Sequence, residues 1–207
     1  MPLVYQQNIN AVTKMGVWHI TEAEDFFLQQ VPLQKEITHW HKRLQHLAGR
    51  YLLKEMYPDF PLELIQIADT RKPFLQDELY HFSISHCGDY AAVVVSREYR
   101  VGVDIEMITP KVEKIIHKFL SQQEQLLLPT EEKFKMATVF WSVKESVYKW
   151  KGLGSVDFIR HINIKSVEDR EGEGVVNCIF DSKVPLQLHY LLFNNNSLTW
   201  VLTLPEV

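Results

Sequence analysis

Between Tyr80 and Glu106 the chain spells three apolar runs: Tyr80–His86, Tyr90–Ser96 and Val101–Glu106. Runs this short, rich in Val, Ile, Phe and Tyr, read as β-strands. Gly88-Asp89 separates the first two and suits a hairpin turn. The middle run, Tyr90-Ala-Ala-Val-Val-Val95, is apolar without alternation. It therefore reads as a central strand covered on both faces. A chain with this centre has to build a sheet, and the sequence on either side has to supply what covers it.

Upstream, Met15–Ile20 reads as a short strand. Thr21 with Glu24 has the spacing of an N-cap and its third helical residue, so a short helix is expected to start there. Pro32 opens a longer helix to about Met56, with Ile37, Trp40, Leu44, Leu47, Tyr51 and Leu52 at helical spacing. Pro58 and Pro61 end it. Leu62–Ala68 reads as a strand and Asp69–Pro73 as a turn.

Downstream, helices are expected at about 111 to 118, 121 to 128 and 131 to 150, the second opened by a capping box of Ser121 and Glu124. Strands follow at about 160 to 167, 174 to 181, 185 to 193 and 197 to 203. Gly172 and Gly174 mark one turn, and Asn194 to Asn196 another. Helices followed by runs of strands, twice over, give an α+β chain. The halves are 1–100 and 101–207, and no Pro-, Gly- or Ser-rich linker separates them.

Composition narrows the function. The 207 residues carry a formal net charge of -4, which gives no global attraction to nucleic acid or to an anionic membrane. An anionic ligand then needs a local basic cluster. Cys87 and Cys178 form no CxxC pair, so they suit two reduced thiols better than a disulfide framework or a zinc site. The first residues lack a basic segment followed by an apolar run, and no apolar stretch reaches membrane-spanning length. A cytoplasmic location is expected.

Four stretches carry chemistry. In VGVDIE, residues 101 to 106, strand alternation sends Asp104 and Glu106 to one face and Ile105 to the other. Two carboxylates on one face repel unless a cation lies between them, and a hard, oxygen-liganded ion suits the place. The bland alternative is a strand end with two solvated acids. In FWSVKESVYKWKGLG, residues 140 to 154, Trp141, Lys144, Glu145, Tyr148 and Lys149 fall on one broad helical face. The bland alternative there is a surface ion pair between Glu145 and Lys149. Ser85 and His86 stand at a strand end beside a turn, where a polar contact to phosphate is possible. Lys42 and Arg50 lie two helical turns apart, and Arg71 and Lys72 follow in the turn downstream. His39, His41 and His46 do not make a ligand set, because His39 and His41 face different ways on a helix.

Read together, these stretches resemble the 4′-phosphopantetheinyl transferase superfamily, in particular its larger, monomeric surfactin-type (Sfp-like) branch. The ordered set is LAGRYLLK, RKPFL, FSISHC, VGVDIE, FLSQQE and WSVKESVYKWKGLG. The resemblance implies two similar α+β halves with the active site between them. It implies an enzyme of the holo-[acyl-carrier-protein] synthase type, which moves the 4′-phosphopantetheine arm of coenzyme A onto a serine of an apo carrier protein and releases 3′,5′-ADP. By motif position, Asp104, Glu106 and Glu145 correspond to Mg²⁺ ligands. Lys149 corresponds to the lysine on the pyrophosphate. Ser85 and His86 correspond to the contacts on the nucleotide and its 3′-phosphate, and Lys42, Arg50 and Lys72 to basic positions around the coenzyme A phosphates. Glu145 is also a candidate to take the serine proton.

Carriers of this kind are acidic around their serine. Lys111, Lys114 and Lys118, with Ile115, Ile116 and Phe119 beside them, are the expected dock. No nucleic-acid or membrane partner is expected, and a chain holding both halves has no evident need to dimerise. The carrier, whether of fatty acid biosynthesis or of secondary metabolism, is not specified. The principal alternative is a non-catalytic relative that binds coenzyme A or carrier. A convergent Mg²⁺ phosphohydrolase or nucleotidyl enzyme would not need the SISHC and LAGR stretches.

Overall fold

The structure is a computed structural model and describes residues 2–33, 36–69, 72–152 and 154–205. The chain forms two compact units: Met1–Val101 with Leu204–Val207, and Gly102–Thr203.

The first unit is built on a four-stranded sheet in the order β1 (Leu3–Asn10), β2 (Thr13–His19), β6 (Tyr90–Ser96), β5 (His81–Cys87). All three pairings are antiparallel. As expected, Gly88-Asp89 closes the β5–β6 hairpin, with Cys87 opposite Tyr90. Every residue from Ala91 to Val95 is at 0% exposure, which explains a run with no polar alternate. The edge strand β1 is an addition to the expected elements. Half of its sequence LVYQQNIN is polar and none of its residues is fully buried, so it carries little apolar signal.

The helices of this unit begin later than the sequence implies. Helix α1 spans Glu24–Leu28 with Ala23 as its N-cap, so Thr21 does not cap it. Instead, the Glu22 carboxylate accepts from the Thr21 N–H and from Trp18 Nε1. Helix α2 spans Trp40–Met56, not Pro32 onward. His39 caps it by accepting from the Lys42 N–H, and Gln34 and Lys35 of the expected helix lie outside the described residues. Its buried stripe is Leu47, Ala48, Leu52, Leu53 and Met56, whereas Trp40 is 66% exposed. Gly49 of the LAGR stretch has a packing reason, since a Cβ there would lie 2.7 Å from Ile84 Cγ2 of β5. The expected strand at Leu62–Ala68 is a 3₁₀ turn, Leu62–Leu64, followed by the two-residue strand β3 (Gln66–Ile67), which pairs with β4 (Pro73–Phe74). Thr70 and Arg71 of the intervening turn lie outside the described residues.

The second unit has a five-stranded sheet in the order β7 (Arg100–Met107), β11 (Asn196–Thr203), β10 (Val184–Phe193), β9 (Glu173–Phe180), β8 (Ile162–Arg170). Asn194 and Asn195, both at positive φ, turn β10 into β11, and Glu171-Gly172 do the same for β8 and β9. Asparagine and glycine tolerate that backbone, which is why these turns are legible in sequence. Helix α5 (Lys133–Lys151) buries Ala137, Phe140, Val143, Val147 and Trp150 in a core shared with Ile162, Val176, Leu188 and Val201 of the sheet.

The expected helix at 111 to 118 is a 3₁₀ segment, Pro110–Ile115, followed by one α-turn, α3 (Ile116–Phe119). Helix α4 (Gln122–Gln125) carries both halves of the Ser121–Glu124 capping box. A further turn, α6 (Phe158–His161), capped by Asp157, occupies the first residues of the strand expected from 160. Neither Cys87 nor Cys178 is in a disulfide. Cys178 is buried, which raises its pKa to about 12, and Cys87 is half-buried. Among the described residues no helix is long and apolar enough to cross a membrane.

Candidate active site

The site begins with β7. Alternation along VGVDIE sends Asp104 and Glu106 to the face that receives α5, and Asp104 is only 2% exposed. On α5, Trp141, Glu145 and Lys149 recur every four residues and share a face. The two elements meet through charge-assisted hydrogen bonds. Lys149 Nζ donates to Asp104 Oδ1 at 2.6 Å, and Trp141 Nε1 donates to Glu106 Oε1 at 3.1 Å. Lys149 therefore pairs with an acid 45 residues away, a contact unlike a simple surface pair within the helix.

Gly102 makes this approach possible. A Cβ there would fall 2.1 Å from the Ser146 carbonyl oxygen and 2.8 Å from the Trp150 nitrogen. Hydroxyls close the rest of the seam. Ser142 Oγ and Ser146 Oγ lie 3.0 and 2.6 Å from Thr199 Oγ1 of β11, and Ser146 Oγ also donates to the Thr199 carbonyl at 3.1 Å. Small residues with satisfied hydroxyls let the helix backbone sit close to the sheet.

The crowding of acids has an electrostatic consequence. Glu106 is pushed up to about 7, by burial first and by the Asp104 charge second, with Trp141 and Lys149 opposing. Glu145 is pushed up to about 6 by burial and by Asp104, with Lys149 opposing. Asp104, Glu106 and Glu145 thus feel one another's charge. Among the described residues, however, no three His, Cys, Asp or Glu side chains are placed to hold a metal ion together. The donor set nevertheless suits a hard divalent cation in chemistry. It offers oxygen ligands alone, and its excess negative charge is what such an ion relieves.

Lys144 does not share this face, and its sequence reading is corrected. It is at 0% exposure in the core of the unit, where Nζ donates to Glu124 Oε1 at 2.6 Å and to the carbonyls of Phe158 and Ile162 at 2.8 and 2.7 Å. Two residues that sequence reasoning left without a role belong to the site: Trp141 as the donor to Glu106, and Gly102 as the gap for the helix. The signal for Trp141 was its place four residues before Glu145. Its ring is held by Phe119 and Phe158, with centroids 5.1 and 5.6 Å away.

The remaining candidates lie in other parts of the chain. Ser85 is buried on β5 and His86, next to it, is exposed. Lys42 is exposed on α2, whereas Arg50 is 7% exposed. Arg50 Nη1 donates to His46 Nδ1 at 3.1 Å, and burial pulls the guanidinium down to about 10. Among the described residues no carboxylate pairs with it and its Nε has no partner. Lys72 is half-buried and pulled down to about 8, by burial and then by Arg100. Lys111, Lys114 and Lys118 are all exposed, but Ile116 and Phe119 are core residues, at 5% and 1% exposure, and are not available beside them. The 3₁₀ geometry of the first two lysines, against the α-turn of the third, accounts for the difference from a single helical stripe.

The seam between β7 and α5 falls inside a match to the 4′-phosphopantetheinyl transferase superfamily that covers residues 100–203, half of the chain. The chain belongs to the 4′-phosphopantetheinyl transferase superfamily. It is 37% identical over 111 residues to "Enterobactin synthase component D" of Salmonella austin, covering 52% of this chain and 47% of that one. It is 34% identical over 111 residues to "4′-phosphopantetheinyl transferase psf-1" of Bacillus pumilus, covering 51% and 47%. With "4′-phosphopantetheinyl transferase AcpT" of Escherichia coli (strain K12) it shares 27% over 142 residues, 64% and 72% of the two chains. The match to the first of these relatives spans about half of that relative's length.

Proposed function

We propose that this chain is a 4′-phosphopantetheinyl transferase that uses coenzyme A and modifies a serine of an apo carrier protein. The observation that carries the reading is the seam between β7 and α5, where two acids of one strand face an acid and a lysine of one helix in a member of this family. In this reading Asp104, Glu106 and Glu145 hold Mg²⁺. When bound, the ion neutralises the coenzyme A pyrophosphate and polarises its β-phosphorus.

The chain's own groups do the rest. The carrier serine oxygen forms a bond to the β-phosphorus as the bond to the bridging oxygen breaks. 3′,5′-ADP leaves with the electron pair. Glu145, directly or through water, takes the serine proton. In the metal-free site burial and the Asp104 charge raise its pKa to about 6, so it is already mostly ionised at pH 7 and free to accept a proton. The Lys149 ammonium stabilises charge growing on the departing phosphate. Ser85 and His86 contact the nucleotide, and Lys42, Arg50 and Lys72 its phosphates. Support for Arg50 comes from its burial with no carboxylate paired to it among the described residues, since a desolvated guanidinium is stabilised by an anion. Lys111, Lys114 and Lys118 supply exposed positive charge for an acidic carrier.

The test is to incubate the chain with coenzyme A, Mg²⁺ and an apo carrier, then weigh the carrier by mass spectrometry. A phosphopantetheine adduct is expected. Binding without an adduct would favour a non-catalytic relative, and coenzyme A breakdown without carrier a hydrolase.

A further inference from the structure

Helix α5 carries Glu145 between two anchored edges. Successive residues of a helix are about 100° apart around its axis. Lys144 therefore lies to one side of Glu145, and Ser142 and Ser146 lie to the other. On the serine side, both hydroxyls meet Thr199, and the backbone rests on Gly102. On the lysine side, one ammonium makes three bonds to three different elements: Glu124 in α4, the Phe158 carbonyl in α6 and the Ile162 carbonyl at the start of β8.

Glu124 is itself fully engaged. Its Oε1 also accepts from the Ile164 N–H at 2.9 Å, and its Oε2 accepts from the Ser121 N–H at 2.7 Å. The pair lies at 0% and 2% exposure for Lys144 and Glu124. A buried ion pair of this kind adds little net stability over an apolar pair of similar volume. What it adds is direction, because three acceptors fix where the ammonium and its helix can sit.

We propose that Lys144 is a positioning residue whose clamp on Glu124, Phe158 and Ile162 sets the rotation of α5 that turns Glu145 and Lys149 toward Asp104. A carboxylate stands about 6 Å from a helix axis, so a rotation of about 20° moves it by about 2 Å. Displacements of about 1 Å cost up to about a hundredfold in catalysis. Phe158 extends the effect to Trp141, because the residue whose carbonyl Lys144 holds also presents the ring that flanks the indole. The inference rests on the proposed metal site.

Mn²⁺, followed by its electron paramagnetic resonance signal, is the probe, and the full chain is used without coenzyme A or carrier. The double replacement Lys144→Met/Glu124→Met removes the clamp without stranding a charge. It should weaken Mn²⁺ binding about tenfold or more, as loss of a residue that orients a ligand does. The Tm should stay within a few degrees. Mn²⁺ affinity within about twofold of the unaltered chain, whatever the Tm, would overturn the positioning role. Should the double variant not fold, Glu124→Gln decides. It keeps the Oε1 acceptor and the two carbonyls that hold Lys144, while its amide nitrogen gives up the Ser121 N–H and the ammonium loses its counter-charge, so Mn²⁺ affinity should hold within about threefold even as the Tm falls, and a tenfold loss would overturn the account. Absence of Mn²⁺ binding by the unaltered chain would remove the metal site and this inference together, a result distinct from either variant outcome.

Discussion

At the scale of single residues, the seam between β7 and α5 is a place where negative charge is held back by burial. Glu106 and Glu145 have pKa values of about 7 and 6, above the ordinary value of about 4.3 for an unfolded chain. Between these limits the folded chain holds more protons than the unfolded one, so stability falls as pH rises through the window from about 4.5 to 7. The Tm of the metal-free chain should fall over this range, and Glu106→Gln should flatten much of the fall. Equal pH profiles for the two chains would show that Glu106 is not the group responsible. Trp141→Phe keeps the ring packing against Phe119 and Phe158 and removes the N–H that stabilises the Glu106 carboxylate. Transferase activity should drop about tenfold, in line with one lost bond to a charged acceptor, with Tm changed by no more than a few degrees. Full activity in this variant would separate Trp141 from the chemistry. Alternation was enough to put Asp104 and Glu106 on one face of a strand, and helical period to put Glu145 and Lys149 on one face of a helix. Neither pattern located Lys144, because a helical wheel places a lysine on a face but cannot say that α4, α6 and β8 enclose it.

At the scale of elements, contact distance decides what the helices can do. Gly102 leaves no room for a methyl group beneath Ser146, so Gly102→Ala has to push α5 outward from β7. Overpacking of this kind costs about 1–3 kcal/mol. Thermal unfolding should show a lower Tm, and the transfer reaction should lose at least about tenfold. An alanine variant with the activity and Tm of the original would mean that the helix does not depend on this gap. Elements set by local chemistry were legible: the Gly88-Asp89 hairpin, the Asn194-Asn195 turn and the Ser121–Glu124 box. Elements set by their neighbours were not. The start of α2 waits for His39 as a cap although Pro32 offers an earlier entry, and β1 exists because β2 offers it an edge.

At the scale of the whole molecule, a chain of net charge -4 repels both a polyphosphate and an acidic protein at long range. Under the proposed function, encounters with coenzyme A and carrier must therefore use local positive charge. Reversal of Lys111, Lys114 and Lys118 to Glu should raise the KM for carrier about tenfold and leave that for coenzyme A unchanged, with the difference shrinking in high salt. Equal changes in both constants would rule out carrier docking at these lysines. The α+β class was readable because each half alternates its helical and strand periods, whereas the assignment of Leu204 and Pro205 to the first unit is one that no local pattern announces. The buried guanidinium of Arg50 carries a thermodynamic corollary. A cation that folding has stripped of water, and that no acid among the described residues answers, makes the native state hungry for sulfate or phosphate. Millimolar inorganic anion should then raise the melting temperature of the empty protein, and Arg50→Met should abolish the gain, so that ligand and fold are selected as one.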